Sequence, residues 1–226
     1  MEHLQNGFTL DIPSGCFPLS TDSILLADFV RLPKNAQVLD LGSGCGTLGL
    51  LLCARDQACH VTGMELDPTA HTAALENIAR NGLEARLSSI CTDLRTVPTG
   101  TYAVCVSNPP YFSGGPASAQ TPLARRDDTC TIAELFTAAA RSLKFGGDFY
   151  IVHKPERLAE LICTAAQNGL EPKRLRLIRH KEGGDVALIL LSCRKGAKPG
   201  LVWEERTLHH PDGSPTGYYK ALYHLE

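Results

Sequence analysis

Two apolar patterns alternate along this chain: short unbroken apolar runs, and longer segments whose apolar residues return every three to four positions. Gln37–Leu41, His60–Glu65, Ala85–Cys91 and Tyr102–Ser107 read as successive buried strands, and Asp148–His153 as a fifth. Thr47–Arg55, Pro68–Asn81, Ile132–Leu143 and Pro155–Asn168 read as the helices between them. Pro68 at the start of one helix and Gly82 just past its end bracket it, while Gly146-Gly147 and Gly169 stop the next two. Strands separated by helices require crossovers, hence a parallel sheet covered on both faces. After Gly169 the pattern changes. Lys173–Arg179 and Val186–Cys193 are strands joined by Lys181-Glu-Gly-Gly184, a hairpin signal. The expected fold is α/β, a doubly wound, mostly parallel sheet with a C-terminal antiparallel strand pair.

Two segments fall outside this rhythm. Residues 7–31 suggest a short strand or hairpin around Pro13-Ser-Gly15, then a helix capped by Ser20 or Thr21. Residues 113–122 are small, polar and rich in Gly and Pro, which predicts a mobile loop, either a lid over a substrate or a surface excursion. The expected organisation is one domain: an N-terminal extension over 1–36, a core over 37–195 and a C-terminal extension over 196–226.

Composition narrows the class. At 226 residues the chain can bury a substantial core, and no apolar stretch approaches the roughly 20 residues of a membrane span. Met1-Glu-His-Leu-Gln-Asn6 lacks the basic and apolar regions of a secretory signal, so a cytoplasmic location is expected. Nine cysteines show no Cys-x-x-Cys spacing and most lie in apolar runs, as reduced core residues do; no metal site is expected, His209-His210 included. The net charge of −2 conceals segregation, because residues 120–200 carry 14 Lys and Arg against 9 Asp and Glu. Within them Lys173-Arg-Leu-Arg-Leu-Ile-Arg-His-Lys181 holds five cations and no acid. It reads either as a phosphate-contacting stripe or as a solvated edge strand that resists aggregation.

The chemistry gathers where strands end. Val38-Leu-Asp-Leu-Gly-Ser-Gly-Cys-Gly46 is a strand running into a turn in which Gly42, Gly44 and Gly46 let the backbone approach a ligand. Asp40 just before those glycines would repel a pyrophosphate but accept a hydrogen bond from a ligand ammonium group. Glu65 closes the second strand, where an acid can hold both ribose hydroxyls, and Asp93 after the third can accept from an adenine amine. Asn108-Pro-Pro-Tyr111 follows the fourth strand. Its prolines fix the backbone and remove donors, leaving carbonyl acceptors beside an amide and an aromatic ring suited to a planar amine.

Taken together, Val38–Gly46, Glu65, Asp93 and Asn108–Tyr111 resemble the class I S-adenosylmethionine-dependent methyltransferases that modify planar amino nitrogens. Phe17-Pro-Leu-Ser-Thr-Asp-Ser-Ile-Leu-Leu-Ala27, Ala124-Arg125, Gly169–Arg174 and Gly217-Tyr-Tyr219 extend the likeness to the bacterial tRNA1(Val) adenine-N6-methyltransferase family over nearly the whole chain. The tail Leu208–Gly217 is longer than that family's compact ending.

The resemblance implies a Rossmann-like class I fold, S-adenosylmethionine as cofactor and transfer of its methyl group to an anticodon-loop adenine of tRNA. It implies cofactor contacts from Asp22, Asp40, Gly42, Ser43, Gly44, Gly46, Glu65, Leu66, Asp93, Leu94 and Asn108. Catalytic roles fall to Asn108, Pro109, Pro110 and Tyr111, and substrate contacts to Tyr111, Phe112, Arg125, Arg126, Lys173, Arg174 and Arg176. Monomer and homodimer both remain open. A release-factor glutamine-N5 methyltransferase and an rRNA guanine-N2 methyltransferase are the enzymatic alternatives, the first weakened because about 36 residues precede the first core strand, too few for a separate helical domain. A non-catalytic RNA-binding protein on the same scaffold is the alternative from another class.

Overall fold

A computed structural model describes residues 1–110 and 130–225. The expected lid over 113–122, with Tyr111, Phe112, Arg125 and Arg126, lies outside the described residues. The core strands are β3 (Gln37–Leu41), β4 (His60–Glu65), β5 (Leu87–Cys91), β6 (Tyr102–Ser107), β7 (Leu143–His153), β8 (Leu170–Lys181), β9 (Val186–Lys195) and β10 (Val202–His209). They form one sheet in the order β10-β8-β9-β7-β6-β3-β4-β5. β9 runs antiparallel to both neighbours and every other pairing is parallel.

Successive residues of each central strand enter opposite cores, as the two-residue period of a strand requires. Val38, Val104, Val106, Tyr150 and Val152 pack on one face, toward α1 (Thr21–Phe29), α2 (Thr47–Arg55) and α3 (Pro68–Arg80). Leu39, Leu41, Cys105, Phe149 and Ile151 pack on the other, toward α4 (Ile132–Ser142) and α5 (Leu158–Gln167). Helix borders follow from capping. Asp67 accepts from Thr69 N at 2.9 Å at the start of α3, and Thr131 with Glu134 forms a reciprocal capping box on α4.

The mostly parallel sheet and its antiparallel strand pair stand as expected, and β10 adds a further strand parallel to β8. Two expectations need correction. The cationic stripe is an interior strand, not an edge. The N-terminal hairpin pairs β1 (Glu2–His3) with β2 (Thr9–Leu10) across Gln5–Gly7, whereas Pro13 to Cys16 is a simple turn closed by Cys16 N to Pro13 O at 3.1 Å.

β2 gains its second edge from a helix. Asn77 on α3 and Asn81 at its C-cap exchange side-chain amide bonds with the backbone of Thr9 and Asp11, four contacts of 2.8 Å each. The last helix, α6 (Gly217–Tyr223), lies against α1. Tyr223 Oη meets Thr21 Oγ1 at 3.0 Å, and Tyr219 stacks on Tyr223 with ring centroids 4.5 Å apart.

Candidate functional site

The carboxyl ends of β6, β3, β4 and β5 lie side by side and surround a cavity of about 350 Å³. Such an end of an open parallel sheet is where ligands bind in doubly wound folds. The turn after β3 forms its floor. Gly42, Gly44 and Gly46 take φ of 74°, 54° and 85°, a region closed to most side chains, and Met64 O accepts from Gly42 N and Ser43 N at 2.9 and 3.0 Å. A close approach fixes a further position. A Cβ added to Gly63 on β4 would lie 2.6 Å from Ser43 Oγ, so Gly63 makes the room for Ser43 to turn inward.

Asp40, Glu65, Asp67 and Asp93 line the cavity, and no Lys, Arg or His joins them among the described residues. Asp40 is 1% exposed, and neither carboxylate oxygen has a hydrogen-bond partner among the described residues. Burial, then the nearby charge of Glu65, pushes its pKa up to about 8. A buried acid without a donor is costly, and a cationic ligand is the group that would relieve it. Glu65 Oε2 accepts from Gly44 N at 2.7 Å and its Oε1 from Asp67 N at 2.8 Å, so its carboxylate is held at the end of β4 facing the glycine turn. Asp93 is gripped by Arg95, whose Nε and Nη2 lie 2.9 and 2.6 Å from its oxygens and hold it below the usual carboxylate range.

Asn108, Pro109 and Pro110, just past the end of β6, line the same cavity as the acids. Asn108 Nδ2 donates to Ser23 Oγ at 2.9 Å, and Ser23 is buried on the first turn of α1. Of the expected cofactor residues, Asp40, Gly42, Ser43, Gly44, Glu65, Leu66, Asp93, Leu94 and Asn108 line this one cavity. Gly46 and Asp22 do not. Gly46 instead begins α2 and sits against Ala74, 3.6 Å from a Cβ placed there, and Asp22 is replaced at the cavity by its neighbour Ser23.

Cys16, Phe17 and Cys130 also line the cavity, and none of them was expected there as a site residue. The anchoring of β2 by Asn77 and Asn81 brings the first two there. The one available signal for Ser23 was a small polar residue ahead of the apolar run Ile24–Ala27.

The cationic stripe is largely consumed inside the fold. Arg176, expected to contact substrate, is buried with Nη1 2.6 Å from Asp28 and Nε 2.7 Å from Glu204, so its guanidinium is already engaged within the fold. Arg174 lies 3.6 Å from Glu204 with its guanidinium over the Phe29 ring, and Lys173 Nζ donates to Lys198 O at 3.0 Å. None of these three lines the cavity. Among the described residues no group of His, Cys, Asp and Glu suits a metal ion.

The Methyltransferase small domain family matches residues 19–165 of this chain. A tRNA1(Val) (adenine(37)-N6)-methyltransferase of Photobacterium profundum is 29% identical over 217 residues, spanning 92% of this chain and 90% of its own length. One of the same name from Bacteroides fragilis is 32% identical over 181 residues, 77% of this chain and 76% of its own. Among solved structures, a protein described as a predicted O-methyltransferase from Agrobacterium tumefaciens superposes with a TM-score of 0.76 at 20% identity, covering 91% of this chain and 96% of that one. At that identity the likeness concerns the fold.

Proposed function

The chain belongs to the Methyltransferase small domain family and, within it, to the tRNA1(Val) (adenine(37)-N6)-methyltransferases, and from that membership we propose that it methylates the exocyclic N6 amine of an anticodon-loop adenine in tRNA. The observation that carries this reading is the meeting, in one cavity, of the partnerless buried Asp40 with the Asn108-Pro109-Pro110 turn. S-adenosylmethionine, when bound, supplies an electrophilic methyl group on a sulfonium, together with a ribose and an adenine. Asp40 answers its positive charge, Glu65 its ribose and Asp93 its adenine.

An aromatic amine is a weak nucleophile because its lone pair is drawn into the ring. Asn108 Oδ1 and the Pro109 carbonyl accept its two N–H groups, which favours a pyramidal nitrogen with its lone pair turned into the cavity. The same two acceptors stabilise the positive charge that develops on that nitrogen, and their fixed geometry does so without reorganisation. Tyr111, with Phe112 beside it, is assigned to stacking on the base, worth about 1–3 kcal/mol. A loop adenine suits such a site because it leaves its stack at lower cost than a paired base.

Asn108→Ala is expected to retain S-adenosylmethionine binding, with the loss of its one contact costing less than about tenfold, and to lose methyl transfer by roughly 10²-fold or more. Calorimetry and turnover with unmodified tRNA measure the two. Undiminished turnover would overturn the catalytic assignment. Supplying tRNA, rRNA and a release factor in parallel tests the substrate: N6-methyladenosine from tRNA is expected, whereas N2-methylguanosine or N5-methylglutamine as the sole product would replace this reading.

A further inference from the structure

We propose that Ser23 is a positioning residue for methyl transfer, sorting the two ends of the Asn108 side-chain amide so that its oxygen faces the acceptor amine. The inference rests on the methyltransferase reading above. An amide whose nitrogen and oxygen exchange places would present N–H groups to a substrate N–H, and the acceptor would become a repulsive donor. The two orientations have nearly the same shape, so packing distinguishes them poorly. Hydrogen bonding must do so.

The serine pair at the start of α1 supplies the sorting. Asn108 Nδ2 lies 2.9 Å from Ser23 Oγ. A serine hydroxyl alone is indifferent, since it both donates and accepts. Ser20 Oγ, however, lies 3.4 Å from Ser23 Oγ and caps the helix by accepting from Ser23 N. Either hydroxyl of that pair can be the donor; in this proposal Ser23 donates to Ser20, so that Ser23 Oγ offers only an acceptor toward Asn108. The amide nitrogen then faces α1, and Oδ1 faces away from it. Ser23 is 3% exposed, so little water competes for this bond. Although Ser23 also lines the cavity, its role in this proposal is exerted through its hydrogen bond to Asn108.

Ser23→Ala is the test, with Ser23→Thr retaining the hydroxyl. For Ser23→Ala we expect kcat to fall roughly tenfold, the scale of one lost orienting hydrogen bond, with dissociation constants for S-adenosylmethionine and tRNA within about twofold of the parent. Ser23→Thr should recover most of kcat. The Asn108 side-chain NH₂ signals, assigned by their loss in Asn108→Ala, should be slow to exchange in the parent and exchange rapidly in Ser23→Ala. Parental kcat in Ser23→Ala, or unaltered Asn108 amide exchange in that variant, would overturn the proposal. Equal loss of cofactor binding and turnover would also overturn it, since that marks Ser23 as structural. A parent that binds S-adenosylmethionine but methylates none of the three substrates would instead defeat the underlying functional reading.

Discussion

A carboxylate as enclosed as Asp40 ties ligand binding to proton release. Its pKa stands near 8 in the free protein, so at neutral pH most molecules hold it protonated, and a cationic ligand bound in the cavity would drive the proton off. Affinity for S-adenosylmethionine should rise with pH from 6 to about 8 and then flatten, and calorimetry should record proton uptake by the buffer. Asp40→Asn should lose both effects. The sign for stability is opposite. An acid whose folded pKa is raised loses stability as pH climbs from its unfolded value near 3.8 toward 8, by roughly 1.4 kcal/mol per unit crossed. The free parent should therefore unfold more readily at pH 8 than at pH 5, and Asp40→Asn should flatten that slope in urea titrations. Glu65 has a different signature, because it holds Gly44 N and Asp67 N before any ligand arrives. Glu65→Ala should weaken cofactor binding roughly tenfold or more at pH 8, as measured by calorimetry. Asp40, Glu65 and Asn108 were legible because each ends a strand that its apolar run announces. Ser23 was hidden, since its importance lies in what it meets 85 residues away.

At the scale of elements, β3, β4, β6 and the second half of β7 were readable because both faces of those strands are largely buried, and the helices between them carry their own border residues; β5, a mostly exposed edge strand, was readable from its place between α3 and β6. β10 was not. Val202-Trp-Glu-Glu-Arg-Thr-Leu-His209 is mixed in character, and Val202 and Trp203 are 69% and 63% exposed, so its hydrophobic pattern resembles surface chain. Its reason to pair is electrostatic. Glu204 meets Arg174, Arg176 and Arg206, and Glu205 meets Arg179. Sequence gave the cations but not their partners. The pairing of β2 with Asn77 and Asn81 was equally hidden, because asparagines on a helix ordinarily read as solvent-facing. Arg176→Met should cost about 2 kcal/mol in urea unfolding, less than the 3–5 expected when both partners are fully buried, because Asp28 and Glu204 keep access to water. The salt dependence of tRNA binding should be unchanged in that variant. A reduced slope would return Arg176 to the RNA interface.

Over the whole molecule, charge segregation along the sequence is partly cancelled in space, since the basic middle of the chain folds against the acidic start of its tail through β8 and β10. The cations proposed for tRNA backbone contacts are then chiefly Arg125 and Arg126. Replacing both with Ala should weaken binding to all tRNAs alike and lower the salt slope by about 1–2, a contribution of roughly 0.7–0.9 per lost phosphate contact. An unchanged slope would remove them from the interface. The tail that folds back over α1 also sets an order of events in time. Thr21 and Tyr223 are 202 residues apart, among the longest-range contacts in the chain. Synthesis proceeds at about 5–20 residues per second, and distant pairings form late because their loops are costly to close. The sheet bearing Asn108 can assemble while the ribosome is still working, but the turn bearing Ser23 gains its anchor only after residue 223 has emerged. The proposed pairing of Ser23 with Asn108 is thus completed late in folding, after the sheet that carries Asn108 has formed.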